Sequence, residues 1–135
     1  MDCKGVFRRY IAALANPDML DEILTPDFVG RDLPPPGNRD LLSAFRGAVM
    51  QACPDQRIEI LDIVAEGNHV AGRWRAEQTH TGPFRDIAAT GVRFSFDGYE
   101  FVRLRDGRIA ERWVALNPSP NEVMAQLGSS RQPGT

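Results

Sequence analysis

Two cysteines, Cys3 and Cys53, are all the chain has, far apart and outside any C-x-x-C arrangement. Both read as free thiols, which suits a reducing compartment. Excess charge is also missing: 16 Lys and Arg stand against 18 Asp and Glu, a net charge of −2. Without a basic patch or run, nucleic acid and anionic membranes are excluded as main partners. No apolar run approaches a membrane span, and the opening MDCKGVFRRY has no signal-peptide core, so the expected location is the cytoplasm. The only two histidines, His69 and His80, are an odd number of residues apart and so fall on opposite faces of one strand. No cysteine or third histidine joins them, which excludes a histidine-based zinc site, and the expected metal complement is none. G-x-G-x-x-G, Walker and G-x-S-x-G motifs are absent, so no nucleotide, flavin or other cofactor is expected.

What is present is an ordinary globular composition, 42% hydrophobic and 25% charged over 135 residues. That is one domain with enough chain to bury a core. Val6, Phe7, Tyr10, Ile11 and Leu14 mark one face of a first helix. Asn16-Pro17 resets the chain, and Met19, Leu20, Ile23 and Leu24 make a short second helix ending near Thr25-Pro26. The stretch FVGRDLPPPGNRD reads as loop, because its prolines forbid a helix or a central strand. Asn38 caps a third helix with Leu41, Leu42, Phe45, Val49 and Ala52 inward.

From Arg57 the period becomes two, with strands near 57–65, 69–81, 92–105 and 108–116. Glu66-Gly67-Asn68 and Asp106-Gly107 are tight turns, the second a hairpin signal. Ser119-Pro120-Asn121-Glu122 matches a capping box for a last helix that stops at Gly128. Residues 1–128 are read as one domain and 129–135 as a frayed tail. Helices followed by a meander of long strands predict an α+β fold, a curved antiparallel sheet forming a cone with an inner cavity.

Within these strands some residues are out of place. Phe94, Phe96, Gly98, Glu100, Val102 and Leu104 share a face, and Glu100 is the one charged member. A buried carboxylate is expensive unless it is paired, protonated or facing water in a cavity. Val70, Gly72, Trp74, Ala76, Gln78 and His80 form the matching face of the neighbouring strand. Ala110, Arg112, Val114 and Leu116 share a face on the last strand, so Arg112 is another polar intruder. Asp32 in the proline loop can reach a cavity mouth. Such groups around an aromatic-lined pocket suit proton transfer next to a carbonyl. Plainer readings stand beside these. Glu100 can be a structural ion pair with Arg112. His80 can be surface, Asp32 can stabilise its turn, and Trp74 can be core.

The run DFVGRDLPPPGNRD, with VAEGNHVAGRW, THTGPF and RLRDGRIAERW, resembles the SnoaL-like polyketide cyclase family across nearly the whole chain. The resemblance implies the α+β cone shared with ketosteroid isomerase, scytalone dehydratase and nuclear transport factor. It also implies acid–base chemistry beside a carbonyl without metal or organic cofactor, and a homodimer formed through the open sheet face. His80 matches the family's pocket histidine in T-H-x-G. Glu100 stands where many members have Asp or His. Asp32 matches the Asp of an H-D-x-P loop whose His is Arg31 here. The cyclases' last-strand catalytic Asp is Val114, and an Asp found further on in other members is Asn117.

The catalytic expectation is therefore Glu100, His80 and Asp32. The substrate-lining residues are Arg112, Trp74, Gln78, Val114, Asn117 and Tyr10. The expected partners are a hydrophobic carbonyl-bearing small molecule and a second copy of the chain. The alternative is a non-catalytic binding or interaction protein that kept the cone. Val114 favours that alternative, while Glu100 and His80 on cavity faces favour an enzyme.

Overall fold

A computed structural model describes residues 2–130. Helix α1 (Cys3–Ala13) is followed by a 3-10 turn (Pro17–Met19), α2 (Leu20–Ile23), β1 (Leu24–Gly30) and α3 (Arg39–Ala52). Then come β2 (Arg57–Glu66), β3 (His69–Thr79), β4 (Arg93–Arg105), β5 (Arg108–Asn117) and α4 (Pro120–Ser130). The five strands form one sheet in the order β1-β5-β4-β3-β2. The α+β architecture expected from the sequence is thus observed, with two corrections.

First, part of the proline-rich stretch is strand. Residues 24–30 pair in parallel with β5, so the sheet is mixed and not wholly antiparallel. Pro26 is tolerated because β1 lies at the sheet edge and its pairing is interrupted between Leu24 and Val29. Phe28, assigned to loop from sequence, is buried in the core. Second, α4 runs through Gly128 to Ser130. Its start is as expected: the Ser119 amide donates to Glu122 Oε2 at 2.9 Å and the Glu122 amide to Ser119 Oγ at 3.3 Å. Of the expected tail 129–135, residues 129–130 belong to this helix and 131–135 lie outside the described residues.

The turns follow their chemistry. Asp106 and Gly107 both have left-handed backbone, φ 53° and 77°, the conformation of a two-residue hairpin whose twist matches its strands. Asn38 caps α3 by accepting the Leu41 amide at 3.0 Å. The helices cover one sheet face, and the core consists of Phe7, Tyr10, Leu20, Leu24, Leu42, Val70, Val102, Leu104 and their neighbours.

One irregularity decides which way β5 faces. Leu104 pairs with Ile109 but Arg103 pairs with Glu111, leaving Ala110 as an extra residue. This bulge buries both Ile109 and Ala110. It also re-aims the rest of the strand, so that Arg112, opposite Val102, points into the helix-covered face.

Candidate functional site

Glu100 is 3% exposed and lies on the helix-covered face of β4. Its strand partners are Gly72 on β3 and Val114 on β5. Gly72 is required by packing: a Cβ there would lie 2.5 Å from the Phe7 ring of α1. Its absence lets α1 settle on the sheet and brings Tyr10, one turn after Phe7, to the Glu100 region. Gly98 does the same for Trp74, whose indole lies where a Cβ would be, 2.2 Å away. Flattened onto β4, the indole Nε1–H donates to Glu100 Oε1 at 3.0 Å.

Arg112 joins the cluster from β5. Its Nε and Nη2 donate to the two Asp32 oxygens at 3.0 and 2.7 Å, a bidentate pair, and its Nη1 donates to the Tyr10 hydroxyl at 2.6 Å. Glu100 Oε2 stands 4.0 Å from Nη1, at the outer limit of an ion pair. Glu100 thus shares Arg112 with Asp32, which occupies the guanidinium fork at shorter distances. The loop bearing Asp32 is held by backbone bonds, Arg31 N–H to the Arg112 carbonyl at 2.9 Å and Gly30 N–H to the Gly37 carbonyl at 2.7 Å.

Electrostatics divide the cluster. Burial raises the Glu100 pKa, and Arg112, Tyr10 and Trp74 only partly oppose it. Burial likewise pushes the Tyr10 phenol well up, so it stays protonated. For Arg112, burial alone would lower the pKa, but Tyr10, Glu100 and Asp32 outweigh it and keep the guanidinium charged. Among the described residues, Glu100 Oε2 is buried with no hydrogen-bond partner. A buried carboxylate oxygen in that condition is set up to accept a proton or a hydrogen bond from something else.

The face around Glu100 is sealed at one end and open at the other. Val102 and Leu104 on β4 are buried, whereas Phe96 and Phe94, earlier on the same strand, are half-buried. On β5, Arg112 is buried while Val114 and Leu116 are half-buried. Trp74, Phe96 and Phe94 form a chain of ring contacts, 6.0 and 6.3 Å between centroids, leading outward from the carboxylate. Glu100 thus sits where an apolar, half-open surface meets the closed core.

Tyr10, Trp74, Asp32, Glu100, Arg112 and, across the strand, Val114 are brought together. His80 is not. It lies eight positions beyond Gly72 on β3, roughly 26 Å of strand at the usual rise. There it is buried, with Nδ1 2.9 Å from Thr90 Oγ1 and accepting the Thr90 amide at 3.3 Å. Its expected partnership with Glu100 is corrected on that ground. Asn117 is corrected too. It is exposed at the end of β5, with the parity of Trp113 and Ala115 on the opposite sheet face. Gln78 is buried but belongs to a second network: its Nε2 donates to the Phe94 carbonyl at 3.1 Å, and its Oε1 accepts Gln56 Nε2 at 3.0 Å.

That network starts at Arg46 of α3, which the sequence reading passed over. Arg46 is 8% exposed; its Nε donates to the Leu14 carbonyl at 2.9 Å and its Nη2 to Gln56 Oε1. A signal existed, because position 46 lies one turn from Leu42 on the same buried stripe. Among the described residues no three His, Cys, Asp or Glu side chains are grouped to hold a metal ion.

The helix-free sheet face has its own relief. A concavity of about 510 Å³ is lined by Ile63, Val64, Ala71, Tyr99, Phe101 and Trp113, among others. Phe101 is 42% and Trp113 39% exposed, and Phe101 contacts both His69 and Trp113 rings, at 5.2 and 5.6 Å between centroids.

A mixed sheet with helices over one face, and a buried carboxylate on that face, is the arrangement of the small α+β cone proteins. The SnoaL-like polyketide cyclase family model matches residues 4–127, and the chain belongs to this family. Among solved structures, it is similar to IdmH of Streptomyces antibioticus, a candidate polyketide cyclase. The two are 28% identical with a TM-score of 0.78, over 95% of this chain and 99% of that one. AclR of Streptomyces galilaeus, a candidate hydroxylase, is 27% identical with a TM-score of 0.77, over 95% and 96% of the two chains. A SnoaL-like protein of Jannaschia sp. CCS1 is 19% identical and shares the fold, with a TM-score of 0.81 over 97% and 93%. A comparison with curated proteins finds no match. Among the described residues no helix is long and apolar enough to cross a membrane.

Proposed function

We propose that the protein is a cofactor-independent acid–base enzyme of the cyclase, isomerase or dehydratase type, acting on a hydrophobic carbonyl-bearing small molecule such as a polyketide intermediate. The observation that carries this reading is the buried Oε2 of Glu100, which has Arg112 at 4.0 Å but accepts no hydrogen bond among the described residues, at the end of the Phe94–Phe96–Trp74 row. Trp74 holds Oε1, leaving Oε2 as the working oxygen. In the step envisaged, Glu100 takes a proton from the carbon beside the carbonyl. The C–H bond breaks, an O–H bond forms on the carboxyl, and the electron pair moves onto the carbonyl oxygen as an enolate. A raised pKa makes Glu100 the stronger base for this step.

Val114 is the main argument for the rival, non-catalytic binding protein, because the resemblance to the cyclases expects an Asp there. Glu100 and Val114 are direct cross-strand partners. Their side chains leave the sheet on one face, about 5 Å apart at Cβ. A carboxylate on β4 can therefore serve the space that an Asp on β5 would serve, which favours the enzyme.

The test is deuterium uptake from D2O beside the carbonyl of a bicyclic aromatic ketone such as 2-tetralone. Glu100→Gln keeps the shape and removes the base, and should lower the protein-catalysed rate about 100-fold. Stability should change little, because Asp32 still occupies the fork of Arg112. A strongly destabilised variant with unchanged turnover per folded molecule would overturn the catalytic reading.

A homodimer formed through the helix-free face is part of the proposal. Its support is the exposed Tyr99, Phe101 and Trp113 around the apolar concavity, framed by the Arg73–Asp62 and Arg75–Asp97 pairs. Light scattering at micromolar concentration should give twice the chain mass, and Trp113→Glu should reduce it to the monomer. A monomeric wild type would count against the dimer. The cytoplasm is proposed as the compartment on the two free cysteines.

A further inference from the structure

Among the described residues two arginines are buried, and their surroundings differ. Arg112 has Asp32 in bidentate contact and Glu100 at 4.0 Å. Arg46 takes part in none of the ion pairs among the described residues. Its hydrogen-bond acceptors are neutral: the Leu14 carbonyl, the Gln56 amide oxygen and, at 3.9 Å, Met50 Sδ. The Leu14 carbonyl caps the end of α1, and a helix C-terminus offers only about half a negative charge. The guanidinium therefore keeps uncompensated positive charge in the interior. Burial lowers its pKa to about 10, which still leaves it charged at neutral pH.

Its position gives that charge a use. Leu14, which receives Arg46 Nε, is one helical turn from Tyr10, which receives Arg112. Arg46 thus meets the C-cap of α1 one turn beyond the Tyr10 that receives Arg112. Arg46 also connects through Gln56 and Gln78 to the Phe94 carbonyl, at the open end of the aromatic row. Gln56 is half-buried, so this chain reaches solvent. An anion that needs a cation here finds Arg112 already taken by Asp32, and Arg46 not taken by any carboxylate.

We propose that Arg46, with Gln56, is the oxyanion-receiving site of the inner face, taking the carboxylate, phenolate or enolate oxygen of a flat aromatic ligand. This rests on the reading above only in placing the ligand on that face. In the proton-transfer step it assigns the developing enolate charge to Arg46, and leaves Arg112 to hold Tyr10 and Asp32 in place.

The probes are 2-naphthoate and its neutral isostere 2-naphthamide, read by fluorescence quenching in a Trp113→Phe background, where Trp74 is the remaining tryptophan. Naphthoate should bind at least about tenfold more tightly than naphthamide, as expected for a charged hydrogen bond in a buried site. Arg46→Gln should abolish the preference and Arg46→Lys should retain it. Equal binding of the two probes, or a preference that survives in Arg46→Gln, overturns the site. Should Arg46→Gln not fold, the Arg46 Nε–H resonance of the otherwise native protein decides. It must move with naphthoate and stay with naphthamide, and a resonance unmoved by naphthoate overturns the proposal. Glu100→Gln should leave the naphthoate preference standing while deuterium exchange falls, so the two proposals fail separately.

Discussion

Along one face of β4, two regions a few residues apart follow different rules. From Glu100 to Leu104 every inward side chain is buried; at Phe96 and Phe94 the same face is half-open. On β4 the open region is apolar, and its side chains need no polar partner. The sealed region contains a carboxylate and lies against a guanidinium from β5, and is tolerated because Asp32, Tyr10 and Trp74 supply hydrogen bonds. The open end can receive a hydrophobic molecule; the sealed end keeps a reactive group in a dry, fixed geometry. The difference is one of networking, since charge is admitted to the sealed region only with partners from three other elements and a loop.

The sealed end is disrupted most severely by a change at Arg112. Arg112→Leu strips Asp32 and Tyr10 of their donor and leaves Glu100 without its cation. It should cost about 3–5 kcal/mol, measured by urea denaturation. A loss under 1 kcal/mol would mean that the network does not hold the sealed end.

Next in size is Gly98→Ala. A methyl placed 2.2 Å from the Trp74 ring must push the indole off β4. The expected cost is about 1–3 kcal/mol, with loss of the indole bond to Glu100 seen as a shift of the Trp74 Nε1–H resonance. An unmoved resonance would show that the glycine does not position the tryptophan.

The smallest effect is a pH dependence. In the unfolded chain Glu100 releases its proton near 4.5, whereas burial makes the folded chain hold it to higher pH. Between those two values the folded state binds more protons, so stability falls as pH rises, and levels off above the folded pKa. Glu100→Gln lacks this term. The wild type's Tm relative to the variant should therefore be highest at acid pH and decline from pH 4.5 upward. A difference independent of pH would contradict the raised pKa.

Much of the molecule was legible in the residues themselves. Periods of 3.6 and 2 fixed α1, α3 and β2 to β5 to within a few positions, because amphipathic patterning is a local signal. The Asp106-Gly107 turn and the Ser119 capping box followed from backbone and side-chain chemistry within four residues. Glu100 and Arg112 stood out as charges on apolar faces, and Asp32 was named beside them. Strand β1 was missed because Pro26 and the prolines that follow the strand argue for loop, and only a parallel partner more than 80 residues away makes it a strand. Arg46 was missed although it lies one turn from Leu42 on the buried stripe of α3, because that position suits equally an arginine whose stem covers the core and whose head reaches solvent.

What tertiary structure alone decided is which of these charges meet. Parity placed His80 and Glu100 on compatible faces, but strand register puts His80 eight positions from Glu100's partner Gly72. The Ala110 bulge turns Arg112 inward, and the backbone bonds of the 30–37 loop bring Asp32 onto it. Two missing Cβ atoms, at Gly72 and Gly98, let Phe7 and Trp74 lie close enough to complete the cluster. Periodicity reports which face a side chain takes. Contact across the chain depends on register, bulges and close packing, which are set by distant partners and leave no local trace.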